Sequence, residues 1–215
     1  DKDSFELSGT TLKLKDTVSA DFETDASYSI TLTATDSADN TVSKDYTIGV
    51  TDVNETPSAL ALSASTFAEN AAGATIGTLS ATDPDSGETF TYSITGTDKD
   101  SFELSGTTLK LKDSVSADFE TDASYSITLT ATDSADNTVS KDYTITVSDV
   151  NETPSAVALS TSSFAENAAG VTVGTLSATD PDTGETFTYS ISGTDKESFE
   201  LSGTTLKLKD SVSAD

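Results

Sequence analysis

Cysteine, histidine, methionine and tryptophan are all absent from the 215 residues. Without thiolate or imidazole, the ligand sets usual for zinc, haem and iron–sulfur clusters have no source. The Ser-His-Asp and Cys-His arrangements fall with them, since both need an imidazole base. No disulfide can staple the fold. Basic residues are scarce as well: 11, every one a lysine, against 37 acidic residues, for a net charge of −26 and a pI of about 4.1. Such a surface repels nucleic-acid phosphates and anionic lipid headgroups, so neither is an expected partner, and it attracts multivalent cations. A hard cation held by carboxylate and carbonyl oxygen is the metal chemistry that remains. Long apolar runs are missing too. No segment approaches the roughly 18–20 residues that span a bilayer, so no direct membrane insertion is expected from this stretch. The chain opens on Asp1 with no basic-then-apolar leader, which places any export signal outside it.

Acidic, Ser/Thr-rich composition on its own points to disorder. Hydrophobic content of 34% and long alternating runs argue for a packed fold instead. The string SFELSGTTLKLKD recurs with Phe5, Phe102 and Phe199 in register, a period of 97 residues. Asp52 and Asp149 share that phase, as do Glu69 and Glu166. Residues 1–50 and 98–147 differ at two positions only, Thr17 against Ser114 and Gly49 against Thr146. A period this long exceeds the 20–50 residues of solenoid units and implies whole domains in tandem. The segment DVNETP, at Asp52–Pro57 and Asp149–Pro154, reads as the boundary because proline blocks strand continuation. Residues 56–152 then form one complete repeat, 1–55 the back of a preceding one and 153–215 the front of a following one. On that division each end is half a sandwich, with strands of a longer array or of an adjoining copy expected to complete it.

The complete repeat shows seven strand candidates: 59–63, 75–81, 89–95, 101–104, 108–112, 125–132 and 139–148. The sixth is plainest, with Tyr125, Ile127, Leu129 and Ala131 alternating against Ser126, Thr128, Thr130 and Thr132. Gly106–Thr108 suits a tight hairpin, and Asp83–Gly87 a type I turn with proline second. Helix is nearly absent, Glu69–Gly73 offering at most one turn. Seven short strands per repeat predict an all-β fold of tandem seven-stranded immunoglobulin-like β-sandwiches.

Five acidic motifs fall at strand ends or in the linker: AEN (Glu69), TDPDSGE (Asp83, Asp85), SADFE (Asp118, Glu120), ATDS (Asp133) and DVNE (Asp149, Asn151, Glu152). Like charges about 4 Å apart repel by roughly 1 kcal/mol in water, and by more at lower effective dielectric. A cluster repeated in every unit therefore calls for neutralisation. Calcium, with six to eight oxygen ligands and tolerance of irregular geometry, suits a site built from several loops. The EF-hand loop does not fit Asp83–Gly87, where glycine comes too early and no acid closes the loop. The sequons at Asn54 and Asn151 read as coincidence, because a glycan would compete with ligation there.

In this order and at this period the motifs resemble the extracellular cadherin repeat, in the form seen in bacterial surface proteins. The resemblance covers essentially the whole chain. Cadherin linkers read DxNDNxP, whereas here Glu replaces one Asp and Thr replaces an Asn expected to supply a backbone oxygen. The resemblance implies cadherin-type sandwiches with Ca2+ between repeats and an extracellular or cell-surface, secreted location. Carried over by residue, the first linker site would draw on Asp21, Glu23, Asp52, Asn54, Glu55, Asp83, Asp85 and Asp133. The second would draw on Glu69, Asp118, Glu120, Asp149, Asn151, Glu152, Asp180 and Asp182. Asp36 and Glu166 would serve neighbouring sites off either end.

Three functions compete. The leading one is a calcium-rigidified structural repeat of a large adhesin, stalk or extracellular filament, its partners being calcium, neighbouring repeats and other copies in a filament. Near-identity between repeats favours it, since a specific binding site requires one unit to differ. A glycan-binding or homophilic cell-adhesion module would need an exposed aromatic or apolar patch, and aromatics make up 7% of the chain, mostly at strand-interior phases. An enzyme would rest on paired carboxylates alone, without the cleft and contrasting environments that acid–base work demands.

Overall fold

A computed structural model describes residues 1–167 and 169–213. Among them lie sixteen strands and no α-helix. They are β1 Phe5–Ser8, β2 Thr11–Leu14, β3 Ser27–Thr35, β4 Thr41–Gly49, β5 Ala59–Leu62, β6 Thr66–Ala68, β7 Thr75–Thr82 and β8 Thr91–Thr95. There follow β9 Phe102–Ser105, β10 Thr108–Leu111, β11 Ser124–Thr132, β12 Thr138–Ser148, β13 Ala156–Leu159, β14 Thr172–Thr179, β15 Phe199–Ser202 and β16 Thr205–Leu208. The chain forms two compact units, one of residues 1–67, 72–116 and 124–146, the other of 68–71, 117–123 and 147–215.

The first unit contains the clearest sandwich. One sheet runs β5-β7-β10-β9 and the other β6-β12-β11-β8. Their inward phases meet in a core of Leu60, Ile76, Leu79, Phe102, Leu109, Leu111, Ile127, Leu129 and Ile145, all buried. Along β11 every second residue from Tyr125 to Ala131 is buried, as the period-two pattern requires. Tyr125 meets the Phe102 ring edge-on at a centroid distance of 5.5 Å, a geometry favoured by the ring quadrupoles. Across the sheets, the Tyr143 hydroxyl donates to the Leu60 carbonyl at 3.1 Å. The β9–β10 hairpin turns on Gly106, whose φ of 61° supplies the left-handed first residue of a type II′ turn. The same unit carries two further hairpins, β1–β2 and β3–β4, the latter with nine paired positions.

In the second unit β13-β14-β16-β15 make one sheet. Val173 and Leu208 are buried there.

Two expectations need correction. Between residues 56 and 152 there are eight strands rather than seven, the addition being β6. Three residues are too few to show alternation, and β6 exists because the long β12 offers it a partner. Glu69–Gly73 forms turns and not a helical turn, with Asn70 and Gly73 at φ of 60° and 68°. The short 3₁₀ turns lie instead at Lys2–Ser4, Lys99–Ser101 and Lys196–Ser198.

Candidate metal centres

In the first unit the loop after β2 and the linker bring Glu23, Asp52, Glu55 and Asp85 together, with one carboxylate oxygen of each within 4.8 Å of the others. Local chemistry aims each group. Asp21 accepts from the Thr24 amide at 3.0 Å, so it closes its own turn while Glu23 faces the cluster. Asp83 accepts from the Asp85 amide at 3.1 Å, which folds the DPD segment back on itself. The Asp85 carboxylate then takes the Glu55 amide at 2.8 Å and the Asn54 side-chain amide at 3.0 Å, tying the linker to the strand end. Glu23, Asp52, Asn54 and Asp85 line a groove of about 540 Å³ together with Phe22 and Glu88. Asp133 stands behind it, 5% exposed, accepting from the Ala135 and Asn137 amides at 2.9 and 2.8 Å.

The second unit repeats the plan. Glu69, Glu120 and Asp149 form one group, and Glu120, Glu152 and Asp182 a second that shares Glu120. Glu69 is 3% exposed, and its two oxygens accept the Phe119 and Val150 amides, each at 2.7 Å. A buried carboxylate is tolerated when hydrogen-bonded in this way, and these bonds fix the 117–123 loop to the linker. Asp182 accepts the Glu152 amide at 2.8 Å and the Asn151 amide group at 2.9 Å, the counterparts of the Asp85 contacts. Asp118 closes its turn on Thr121, and Asp180 accepts from the Asp182 amide at 3.2 Å. Asn70 donates to Glu152.

The eighteen sequence-selected residues therefore divide by placement. Glu23, Asp52, Glu55, Asp85, Glu69, Glu120, Asp149, Glu152 and Asp182 converge in carboxylate groups. Asp21, Asn54, Asp83, Asp118, Asp133, Asn151 and Asp180 shape the loops and linker around them. Asp36 sits at the β3–β4 turn on the Asn40 and Ala38 amides, and Glu166 is exposed; neither joins a group among the described residues. Glu88 and Asn137 had no place in the sequence reading. Glu88 lies within TDPDSGE but was passed over for its aspartates, and a lone asparagine in a turn carries no motif.

No lysine neutralises these groups among the described residues; the ion pairs involve Lys13, Lys110, Lys196, Lys207 and Lys209 with other acids. Burial pushes Glu55 above the ordinary carboxylate range, with Glu23, Asp85 and Asp52 adding repulsion. Glu120 rises likewise through burial, then through Glu69, Glu152 and Asp149. Asp149 is raised by burial and by Asp182 and Glu69. The Asn70 amide holds Glu152 down, but burial, Glu69 and Asp182 outweigh it. Asp182 alone in this set is lowered, by the Asn151 amide and the Glu152 N–H. Among the described residues, three buried oxygens, Glu55 Oε2, Asp83 Oδ2 and Glu152 Oε2, have no hydrogen-bond partner. Orphaned carboxylate oxygens beside further carboxylates form an all-oxygen donor set, which fits calcium and leaves zinc or iron without their preferred ligands.

The Cadherin domain family matches residues 63–148. The fold is similar to Protocadherin Gamma B7 extracellular cadherin domains 1–4, with a TM-score of 0.68 and 25% identity over 95% of this chain and 52% of that one. It is also similar to Protocadherin Gamma B2 extracellular cadherin domains 3–6, at 0.66 and 22%, over 100% of this chain and 55% of that one. Mouse Cadherin-23 EC22–24 gives 0.63 and 24%, over 89% and 67%. The chain thus spans about half the length of the two protocadherin structures. No curated protein matches its sequence.

Proposed function

From a chain whose residues 63–148 match the Cadherin domain family, and which folds as tandem cadherin-like β-sandwiches, we infer a calcium-stiffened structural array. Cadherin repeats are non-enzymatic extracellular modules that bind calcium between repeats. In this chain the repeats would run 1–55, 56–152 and 153–215, with metal at the linkers Asp52–Pro57 and Asp149–Pro154. The array would act as a spacer in a secreted or cell-surface adhesin, stalk or filament, of the kind its sequence resembles in bacterial surface proteins.

One observation carries the metal reading: the first linker holds carboxylates from three separate segments against one another and the second from four, with buried oxygens left unpartnered among the described residues. In the first linker Glu23, Asp52, Glu55 and Asp85 would supply the ligands, with Asp83 adding its orphaned oxygen. In the second Glu69, Glu120, Asp149, Glu152 and Asp182 would do so. A bound divalent cation would remove the mutual repulsion of these groups and tie loop, linker and strand end together. The core residues Leu109, Leu111, Ile127 and Leu129 belong to the sandwich itself, so its folding should not depend on the ion.

Calorimetric titration of the chain with calcium tests this, read beside limited proteolysis. Affinity of about 10⁻⁴–10⁻³ M, typical of extracellular modules, is expected. Chelation should expose the linkers to protease while the sandwich stays folded. Asp149→Ala should weaken the second site, whereas Asp136→Asn, in a turn at φ of 67° that asparagine also adopts, should not. Equal affinity in the two variants would show the site to be misplaced.

A further inference from the structure

Beyond the carboxylates, the first linker is held by an amide that belongs to neither carboxylate group. The Asn137 side chain, at the end of the β11–β12 turn, donates to Asn54 Oδ1 at 2.7 Å and to Asp133 Oδ2 at 3.0 Å, with the Glu55 carbonyl a third acceptor at 3.3 Å. One –NH2 thus faces the turn and the linker, 83 residues apart, at once. The orientation of Asn54 is forced. Carboxylates only accept, so its Nδ2 must face Asp85 and Glu88, at 3.0 and 3.3 Å, and its Oδ1 is left for Asn137. Glu88 closes the frame by accepting from the Ser134 amide at 3.2 Å and hydroxyl at 3.1 Å.

The leading segment supplies an internal control. Asn40 occupies the same turn in a nearly identical sequence, and its Nδ2 donates to Asp36 Oδ2 at 2.9 Å. The Ala38 and Asn40 amides bind Asp36 at 2.8 and 2.9 Å, matching those at Asp133. The turn therefore forms with no linker contact to the Asn40 side chain among the described residues, and the reach to Asn54 and Glu55 is an additional contact of the Asn137 side chain. We propose that Asn137 is a positioning residue that latches the turn to the linker and presets the first calcium site, with Glu88 fixing the amide it holds. This rests on the metal reading above. Outer partners that orient metal ligands commonly change affinity by about 10–100-fold when removed.

The test uses the full chain and compares Asn137→Ala with Asn40→Ala, following hydrogen exchange at the linker amides with chelator and across a calcium titration. In chelator, Asn137→Ala should speed exchange at Asp52–Glu55, and Asn40→Ala should not. With calcium, Asn137→Ala should shift the calcium-dependent protection of that linker to roughly tenfold higher concentration. The linker at Asp149–Pro154 should respond as before. Asn137→Ser, polar but too short to reach Asn54, should reproduce the alanine result while sparing the turn. If the two alanine variants behave alike, or if linker exchange in Asn137→Ala is unchanged, the latch is overturned. Calcium that protects neither linker in the unsubstituted chain would instead overturn the underlying metal reading, a result the chelator arm separates from failure of the latch.

Discussion

Residues 1–50 and 98–147 are nearly the same sequence in two settings. Their local structure is the same. The β3–β4 hairpin pairs Ser27 with Gly49 through Thr35 with Thr41, and β11–β12 pairs Ser124 with Thr146 through Thr132 with Thr138 in the identical register. Thr33 and Ser43 share a hydroxyl hydrogen bond of 2.8 Å, as do Thr130 and Ser140. Burial differs. Leu109, Leu111, Leu129 and Ile145 are fully buried, whereas Leu12, Leu14, Leu32 and Ile48 are half-buried. Val42 is 71% exposed and its counterpart Val139 half-buried. The strands that cover these positions in the second copy, β5 to β8, have no counterpart within residues 1–50. Pattern and turn chemistry thus write the hairpins, while a core needs the opposing sheet.

The largest effect should come from a leucine exchanged in both copies. Leu129→Ala empties a fully buried position and should cost about 2–5 kcal/mol. Leu32→Ala, half-buried in the same strand phase, should cost well under half of that. Denaturant unfolding followed by hydrogen exchange in each hairpin would separate them, and equal losses would break the comparison.

A smaller contrast lies in the tyrosines. Tyr143 donates to the Leu60 carbonyl, and Tyr46 is 42% exposed. Tyr143→Phe should lose about 0.5–1.5 kcal/mol by leaving that acceptor unpaired, and Tyr46→Phe close to nothing. Thermal unfolding of both variants decides.

What could be read from the sequence follows the same division. Alternation along Tyr125–Ala131, the 97-residue period and the glycine at 106 report local and repeated order, and the all-β tandem sandwich follows from them. β6 escaped because it exists only through its partner. At the candidate site the acids advertise themselves by type and order. The latch at Asn137 does not, because its acceptors are 82 and 83 residues away and an asparagine in a turn already has a local reason to be there. Sequence shows which groups carry charge, and the fold shows which of them share a space.

The smallest effect concerns pH. Glu55, Glu120, Asp149 and Glu152 have folded-state pKa values above their ordinary ones, so the folded chain takes up protons before the unfolded chain does as pH falls. Stability contributed by these groups in the absence of metal must then rise as pH drops through the raised values toward the ordinary carboxylate range. Asp182 and Asp36 are shifted the other way and offset part of this. Without calcium, the linkers should gain protection from exchange as pH falls from neutral toward the ordinary carboxylate range. With calcium the sign should reverse, because protons compete for the same oxygens. A calcium-free chain whose linkers loosen over that range would contradict the assigned repulsion.

The central claim is that the linker carboxylates hold calcium, and a crystal structure grown with calcium, with anomalous scattering used to identify the ion, tests it most directly. The account predicts calcium at about 2.3–2.6 Å from oxygens of Glu23, Asp52, Glu55 and Asp85, and of Glu69, Glu120, Asp149, Glu152 and Asp182. Linkers without an anomalous peak at saturating calcium, or calcium held by other residues, would contradict it.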